Sequence, residues 1–130
     1  MPRYRTIQDA VAQFQKAFQR PTDLDFSLIK QDSKVAEVFD LRQKLIYEEC
    51  VELIQAMGEG KETEIKKEAA DLLYVLAGLF VDFGWDMQVI FNRVHQSNMS
   101  KLDENGKPIF RKDGKVLKSN RYKEADLRGV

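Results

Sequence analysis

Five carboxylates in two short groups are the residues of this sequence best suited to chemistry: Glu48, Glu49 and Glu52, then Glu68 and Asp71. Each group interrupts an otherwise apolar helical face, where an unpaired carboxylate is expensive to bury. Carboxylates gathered on facing helices make a cage of oxygen ligands for hard divalent cations, the usual partners of phosphate substrates. Two carboxylates about 5 Å apart repel by roughly 3 kcal/mol at an effective dielectric of about 20. Five in one pocket therefore demand protons or cations. The empty cage repels a triphosphate and the loaded one attracts it, so metal-dependent phosphate chemistry is the expectation.

The elements that must position these groups are helical. Ile7, Val11, Phe14 and Phe18 recur at helical spacing over Thr6 to Phe18, with Thr6 and Asp9 spaced as a capping box, and Arg20-Pro21 ends that stretch. A loop follows, and a second helix is predicted from Asp32 or Ser33 to Met57, stopped by Gly58-Glu59-Gly60. A third spans Glu62 to Phe83 and closes at Gly84; a fourth runs from Met87 to Ser97, capped by Asp86 with Trp85 and Ile90 as a staple. At about 100° per residue, Leu41, Leu45, Glu48 and Glu52 share a sector of roughly 60°, with Glu49 at its edge. Glu68 and Asp71 each lie four residues before an apolar partner, Leu72 and Val75. Antiparallel packing across the short glycine-containing loop then brings the two acidic groups face to face. Beyond Leu102 the chain turns polar, and Asp113-Gly114 between Ile109-Phe110-Arg111 and Lys115-Val116-Leu117 predicts a short β-hairpin. The remainder, Lys118 to Val130, is expected to wrap over a neighbouring surface or fray.

Composition narrows the class. The 130 residues are 43% hydrophobic and 32% charged, which fits one domain over 1–130. Lys plus Arg and Asp plus Glu are balanced at 21 each, which argues against a general nucleic-acid binder. Cys50 is the only cysteine, consistent with a reducing cytoplasmic setting, and it reads as a buried bystander. The longest apolar stretch, Leu72 to Phe83, is broken by Gly78 and Asp82 and is too short to span a bilayer, and no secretory signal is visible. Phe14 and Phe18 read as core, with a base pocket as the alternative. His95 lacks the Glu-x-x-His pairing of di-iron carboxylate bundles.

Glu48-Glu49-Cys50-Val51-Glu52 followed by Glu68-Ala69-Ala70-Asp71 resembles the signature of the all-α nucleoside triphosphate pyrophosphatases, which include the MazG proteins, phosphoribosyl-ATP pyrophosphohydrolase and dimeric dUTPases. The stretches Phe14 to Phe18, Asp71 to Val75, Val94 to Leu102 and Asp113 to Lys118 resemble the bacterial and phage branch related to MazG and phosphoribosyl-ATP pyrophosphohydrolases. The resemblance implies an all-α, four-helix bundle-type fold with a C-terminal hairpin or extended tail, as a homodimer or dimer of dimers. It implies hydrolysis of a nucleoside triphosphate between the α and β phosphates, with dGTP, GTP or dUTP as candidate substrates in nucleotide-pool control. Glu48, Glu49, Glu52, Glu68 and Asp71 would hold Mg²⁺ or Mn²⁺, two or three ions per site, with catalysis assigned to Glu48, Glu49 and Glu52 and Glu49 the preferred base. Asn98 and Lys101 would contact phosphate or sugar, and Lys115 and Lys118 would close over the phosphates. Where many relatives continue with Gly-Pro-Asn-Tyr, this chain has Ser119-Asn120-Arg121-Tyr122, a departure that bears on tail closure. The competing expectation is a helical dimerisation or regulatory module with a degenerate cage.

Overall fold

The computed structural model describes residues 5–130. Four α-helices account for most of them: α1 (Ile7–Ala17), α2 (Ser33–Glu59), α3 (Glu62–Phe83) and α4 (Met87–Met99). Two short strands, β1 (Ile109–Phe110) and β2 (Val116–Leu117), follow. The architecture is all-α with a small C-terminal hairpin, as the sequence pattern predicts. None of the helices is long and apolar enough by itself to cross a membrane.

The chain divides after Trp85 into two units. In the first, α2 and α3 pack on each other and α1 packs on α3. Local chemistry sets the boundaries. Thr6 Oγ1 accepts from the Asp9 amide at the start of α1, and Asp32 Oδ1 from the Lys34 amide at the start of α2. Gly60 ends α2 in the left-handed conformation at φ 69°, which a side chain would oppose, and Lys61 already caps α3. The link between the two long helices is therefore as short as the glycine pair suggests. Val11, Val35, Ala56, Ala77, Val81 and Phe83 form the buried apolar core. A one-turn 3-10 segment, Phe26–Leu28, brings Phe26 edge-on to Phe39 and Phe83 beside Trp85.

Through this core runs one polar network. Asp82, 1% exposed, takes Arg42 Nε on Oδ2 at 2.7 Å and Arg42 Nη2 on Oδ1 at 3.0 Å. Gln15 donates to Asp82 Oδ1 and to Pro21 O, both at 2.9 Å, and its oxygen accepts from Arg42 Nη2 at 3.1 Å. One residue from each of α1, α2 and α3 is thus joined in a bidentate, charge-assisted cluster.

The second unit holds α4, the hairpin and the tail. Asp86 Oδ1 accepts from the Val89 amide as the α4 cap. Ile109 pairs with Leu117 and Phe110 with Val116 around the Asp113-Gly114 turn. The tail is tied down within this unit rather than frayed, wrapping over α4 and the turn after it. Ser97 Oγ donates to Lys123 O, Ser119 Oγ to Leu102 O, and Arg93 Nη1 to Asp126 O.

Candidate metal centre

Helices α2 and α3 bring Glu49, Glu68 and Asp71 together, with one carboxylate oxygen from each lying within 4.8 Å of the other two. All three are half-buried. Glu49 Oε2 and Glu68 Oε2 are buried with no hydrogen-bond partner among the described residues. Such orphaned anionic oxygens are costly, and buried polar atoms without partners are rare enough to require a cause. Converging, half-desolvated oxygens with free lone pairs are the donor set a hard divalent cation takes. The residues present fit that ion.

The electrostatics agree with the geometry. Burial pushes the Glu49 carboxyl above its ordinary value, and the Glu52 charge, hydrogen bonding with Glu52 and the charges of Asp71 and Glu68 push it the same way. Lys67 supplies a counter-charge from the rim: its Nζ lies 2.7 Å from Asp71 Oδ2 and 3.4 Å from Glu68 Oε1. Those contacts raise the Lys67 pKa, the Asp71 hydrogen bond first. Lys67 is solvent-exposed, so the ammonium can leave the carboxylates without disturbing the core.

Glu48 and Glu52 are exposed, which corrects the predicted phase of α2. Glu48 borders a surface hollow with Asp40, Lys44 and Tyr47, and Glu52 stands beside Glu49 at the edge of the cage. The inward stripe follows Val35, Val38, Arg42, Leu45, Glu49, Leu53 and Ala56, whereas Leu41, placed inward by the apolar pattern, is 39% exposed. The reason is Arg42. A pattern built on apolar residues turns an arginine outward, but this one is held inward by Asp82 across the helix pair.

Three residues of this network, Gln15, Arg42 and Asp82, were not picked out by the sequence pattern, yet a signal existed. Gly78 sits inside α3, where glycine is unfavourable by about 1 kcal/mol relative to alanine. A Cβ there would lie 2.7 Å from Arg42 Nη2 and closer still to Cζ and Nη1, so the guanidinium rests directly on the helix backbone. Gly78 and Asp82, which break the apolar stretch, mark the place where the arginine docks. Beside it is a cavity of about 310 Å³ between α1, α2 and α3.

The remaining predicted residues lie in the second unit. Asn98 is exposed near the end of α4, and Lys101 is half-buried in the turn after it. Lys115 is exposed on the hairpin, and its amide donates to Asp113 Oδ1. Lys118 Nζ sits 4.6 Å from the centre of the Tyr122 ring, a cation–π contact. Ser119, the departure from the Gly-Pro-Asn-Tyr pattern, is buried, and its hydroxyl also accepts from the Arg121 amide. His95 stacks on Phe91, and Cys50 is half-buried rather than fully enclosed.

Comparison with known proteins finds two likenesses. The family described as phosphoribosyl-ATP pyrophosphohydrolase matches residues 11–98, more than half of the chain, including the three clustered carboxylates and the Arg42–Asp82 pair. A relative from Acanthamoeba polyphaga mimivirus, named "Uncharacterized protein L479", is 31% identical over 114 residues, which is 88% of this chain and 43% of that protein. The chain thus spans less than half the length of this relative.

Proposed function

We propose that this chain, which belongs to the phosphoribosyl-ATP pyrophosphohydrolase family of the MazG-like nucleoside triphosphate pyrophosphatase superfamily, hydrolyses a (deoxy)nucleoside triphosphate between the α and β phosphates. The products are the nucleoside monophosphate and pyrophosphate. The observation that carries the reading is a cluster of Glu49, Glu68 and Asp71 in which one oxygen of Glu49 and one of Glu68 are buried with no hydrogen-bond partner among the described residues. Mg²⁺ or Mn²⁺, two or three ions per site, is the proposed cofactor, held by Glu49, Glu68 and Asp71 with Glu48 and Glu52 outside them. When bound, such ions neutralise phosphate charge and lower the pKa of water.

The chain's own groups then divide the work. Glu49, which joins the cluster and has a raised proton affinity, is the proposed base for the attacking water. Glu52 sits beside Glu49, and its negative charge raises the affinity of Glu49 for that proton. Lys67 pairs with Asp71 and Glu68 while the cage is empty and must release them as it fills. Asn98, Lys101, Lys115 and Lys118 are proposed to contact phosphate or sugar, and release of Lys118 from the Tyr122 ring would free its charge for that purpose. Candidate substrates are dGTP, GTP and dUTP, acted on in the cytoplasm by a homodimer or dimer of dimers.

One observation favours a second reading, a regulatory helical module with a degenerate cage: Lys67 already neutralises part of the acidic cluster. Purified protein separates the two. With Mg²⁺ or Mn²⁺ the enzyme releases pyrophosphate, and orthophosphate appears only after an inorganic pyrophosphatase is added. Direct orthophosphate release, or full activity in excess chelator, refutes the proposed reaction. Calorimetry showing no Mn²⁺ binding would favour the regulatory module.

A further inference from the structure

The cavity beside the Arg42 cluster has a defined depth. Its floor is Val11 and Gln15, each 2% exposed, together with the largely buried Arg42 side chain. Its mouth is marked by Phe14 and Tyr74, which are 43% and 39% exposed and meet edge-on with ring centres 5.4 Å apart. Its volume of about 310 Å³ is at the lower end of small-molecule pockets, ~300–1,000 Å³. Leu45 and Val75 join it to the carboxylate cage: Leu45 is four residues before Glu49, and Val75 is four after Asp71. One helical turn, about 6 Å, therefore separates cavity from cage along both helices. That is the span of a sugar carrying its α-phosphate. A flat ring with apolar faces, attached to phosphates in the cage, would enter beside the touching Phe14 and Tyr74 rings and point its far edge at the floor.

The floor offers hydrogen-bond donors. Gln15 is turned away, with both amide hydrogens on Pro21 O and Asp82 Oδ1 and its oxygen on Arg42 Nη2. Arg42 Nε and Nη2 are committed to Asp82 and Gln15, neither of which can give up the contact without leaving a buried polar group unpaired. Only Nη1 is left, with a long 3.4 Å contact to Val75 O and a second N–H that has no acceptor among the described residues. Arg20 adds another cation at the lining. An arginine has no acceptor to give.

Resting on the phosphate-hydrolysing reading above, we propose that this cavity receives the nucleobase and that Arg42 Nη1 selects bases whose edge opposite the sugar carries an oxo group. In purines that edge is position 6 and in pyrimidines position 4. Guanine, hypoxanthine, uracil and thymine present an acceptor there, while adenine and cytosine present an amino donor. A donor facing a donor leaves both unpaired away from water, so discrimination of about tenfold or more follows.

Pairs differing in that group and in the protonation of the ring nitrogen beside it test the proposal on the intact chain: dITP against dATP, and dUTP against dCTP, each with Mn²⁺. The expected result is a kcat/KM ratio of about 10 or more in favour of the oxo member of both pairs. Arg42→Lys, which keeps a cation opposite Asp82 but removes the Nη1 hydrogen, should pull both ratios toward one. Equal rates within the pairs overturn the inference while leaving the hydrolase reading intact. A preference that survives in folded Arg42→Lys overturns the assignment to Arg42. Should Arg42→Lys fail to fold, the wild-type ratios still decide. Calorimetric titration with dIMP and dAMP reads the pocket without turnover. A dIMP preference in a protein that cleaves no triphosphate would sink the hydrolase reading alone, and neither preference nor turnover sinks both.

Discussion

Replacing Glu49 by glutamine should stabilise the metal-free protein and abolish its stabilisation by metal. At the 4.8 Å limit of the Glu49–Glu68–Asp71 cluster, each like-charged pair costs roughly 3 kcal/mol at an effective dielectric of about 20. The cluster is half-exposed and Lys67 offsets part of the charge, so the net relief is smaller, about 1–2 kcal/mol. The glutamine amide can also donate to the partnerless Glu68 Oε2. For a domain of this size that relief is worth roughly 3–8 °C in Tm at pH 7.5 in EDTA. The pH dependence has a definite sign. The folded pKa of Glu49 is raised above the ordinary 4.5, so the stabilising contribution of its proton is fully present below 4.5 and is lost as pH rises through the raised value. The advantage of Glu49→Gln is therefore small in acid and complete above that raised pKa. Saturating Mn²⁺ reverses the order: at about 100 times Kd it adds ~2.7 kcal/mol to the wild type and little to the variant. Circular-dichroism melts in EDTA and in MnCl₂ measure both arms. A variant less stable than wild type in EDTA, or an equal Mn²⁺ shift in both proteins, refutes the reasoning.

Three other outcomes follow from the same geometry. Lys67→Gln should tighten Mn²⁺ binding by about two- to fivefold in calorimetry, because no exposed ion pair need be broken first; weaker binding contradicts the competition between ammonium and metal. Glu52→Gln removes a charge that raises the Glu49 pKa, so the pH midpoint of Mn²⁺ binding, followed by calorimetric titrations at a series of pH values, should move toward acid, and a move toward base would contradict it. Gly78→Ala should cost about 2–3 kcal/mol in urea unfolding, since the new methyl displaces a guanidinium whose partner Asp82 is buried; the modest stabilisation usual for this exchange in a helix would show that Arg42 does not rest there.

What the sequence made legible was whatever short-range rules control. Gly60 and Gly84 end their helices in the left-handed conformation, and Asp86 caps α4. The Asp113-Gly114 turn closes the hairpin between the two expected runs. Glu68 and Asp71 were assigned inward from their apolar partners and line the cage. The rotation of α2 was not legible, because the residue that sets it is charged and its partner lies forty positions away. Counting only apolar side chains made Glu48 and Glu52 central and Glu49 peripheral, the reverse of their burial. Gly78 and Asp82 carried the missing information, but a break in an apolar stretch does not name the arginine that fills it.

The Arg42–Asp82 pair and the carboxylate cage are geometrically dependent on each other. From the α2–α3 link, Glu49 lies about 15 Å along its helix, Asp71 about 14 Å and Glu68 about 9 Å, so the short link places all three at similar height. Height alone admits Glu52 as well, at about 10 Å; three residues turn a helix by roughly 300°, so Glu52 lies only about 60° from Glu49, at the edge of the cage. Arg42 is seven residues before Glu49, within about 20° of the same helical direction, and Asp82 is eleven after Asp71, again within about 20°. The buried ion pair therefore fixes the angular setting of both helices on the very stripes that carry the ligands. A pair replaced by apolar residues could hold the helices together equally well, but it would leave their rotation to shape alone. An inward Arg42 is thus what turns Glu49 toward Glu68 and Asp71, with Glu52 at the edge of the cage and Glu48 about 100° away from Glu49.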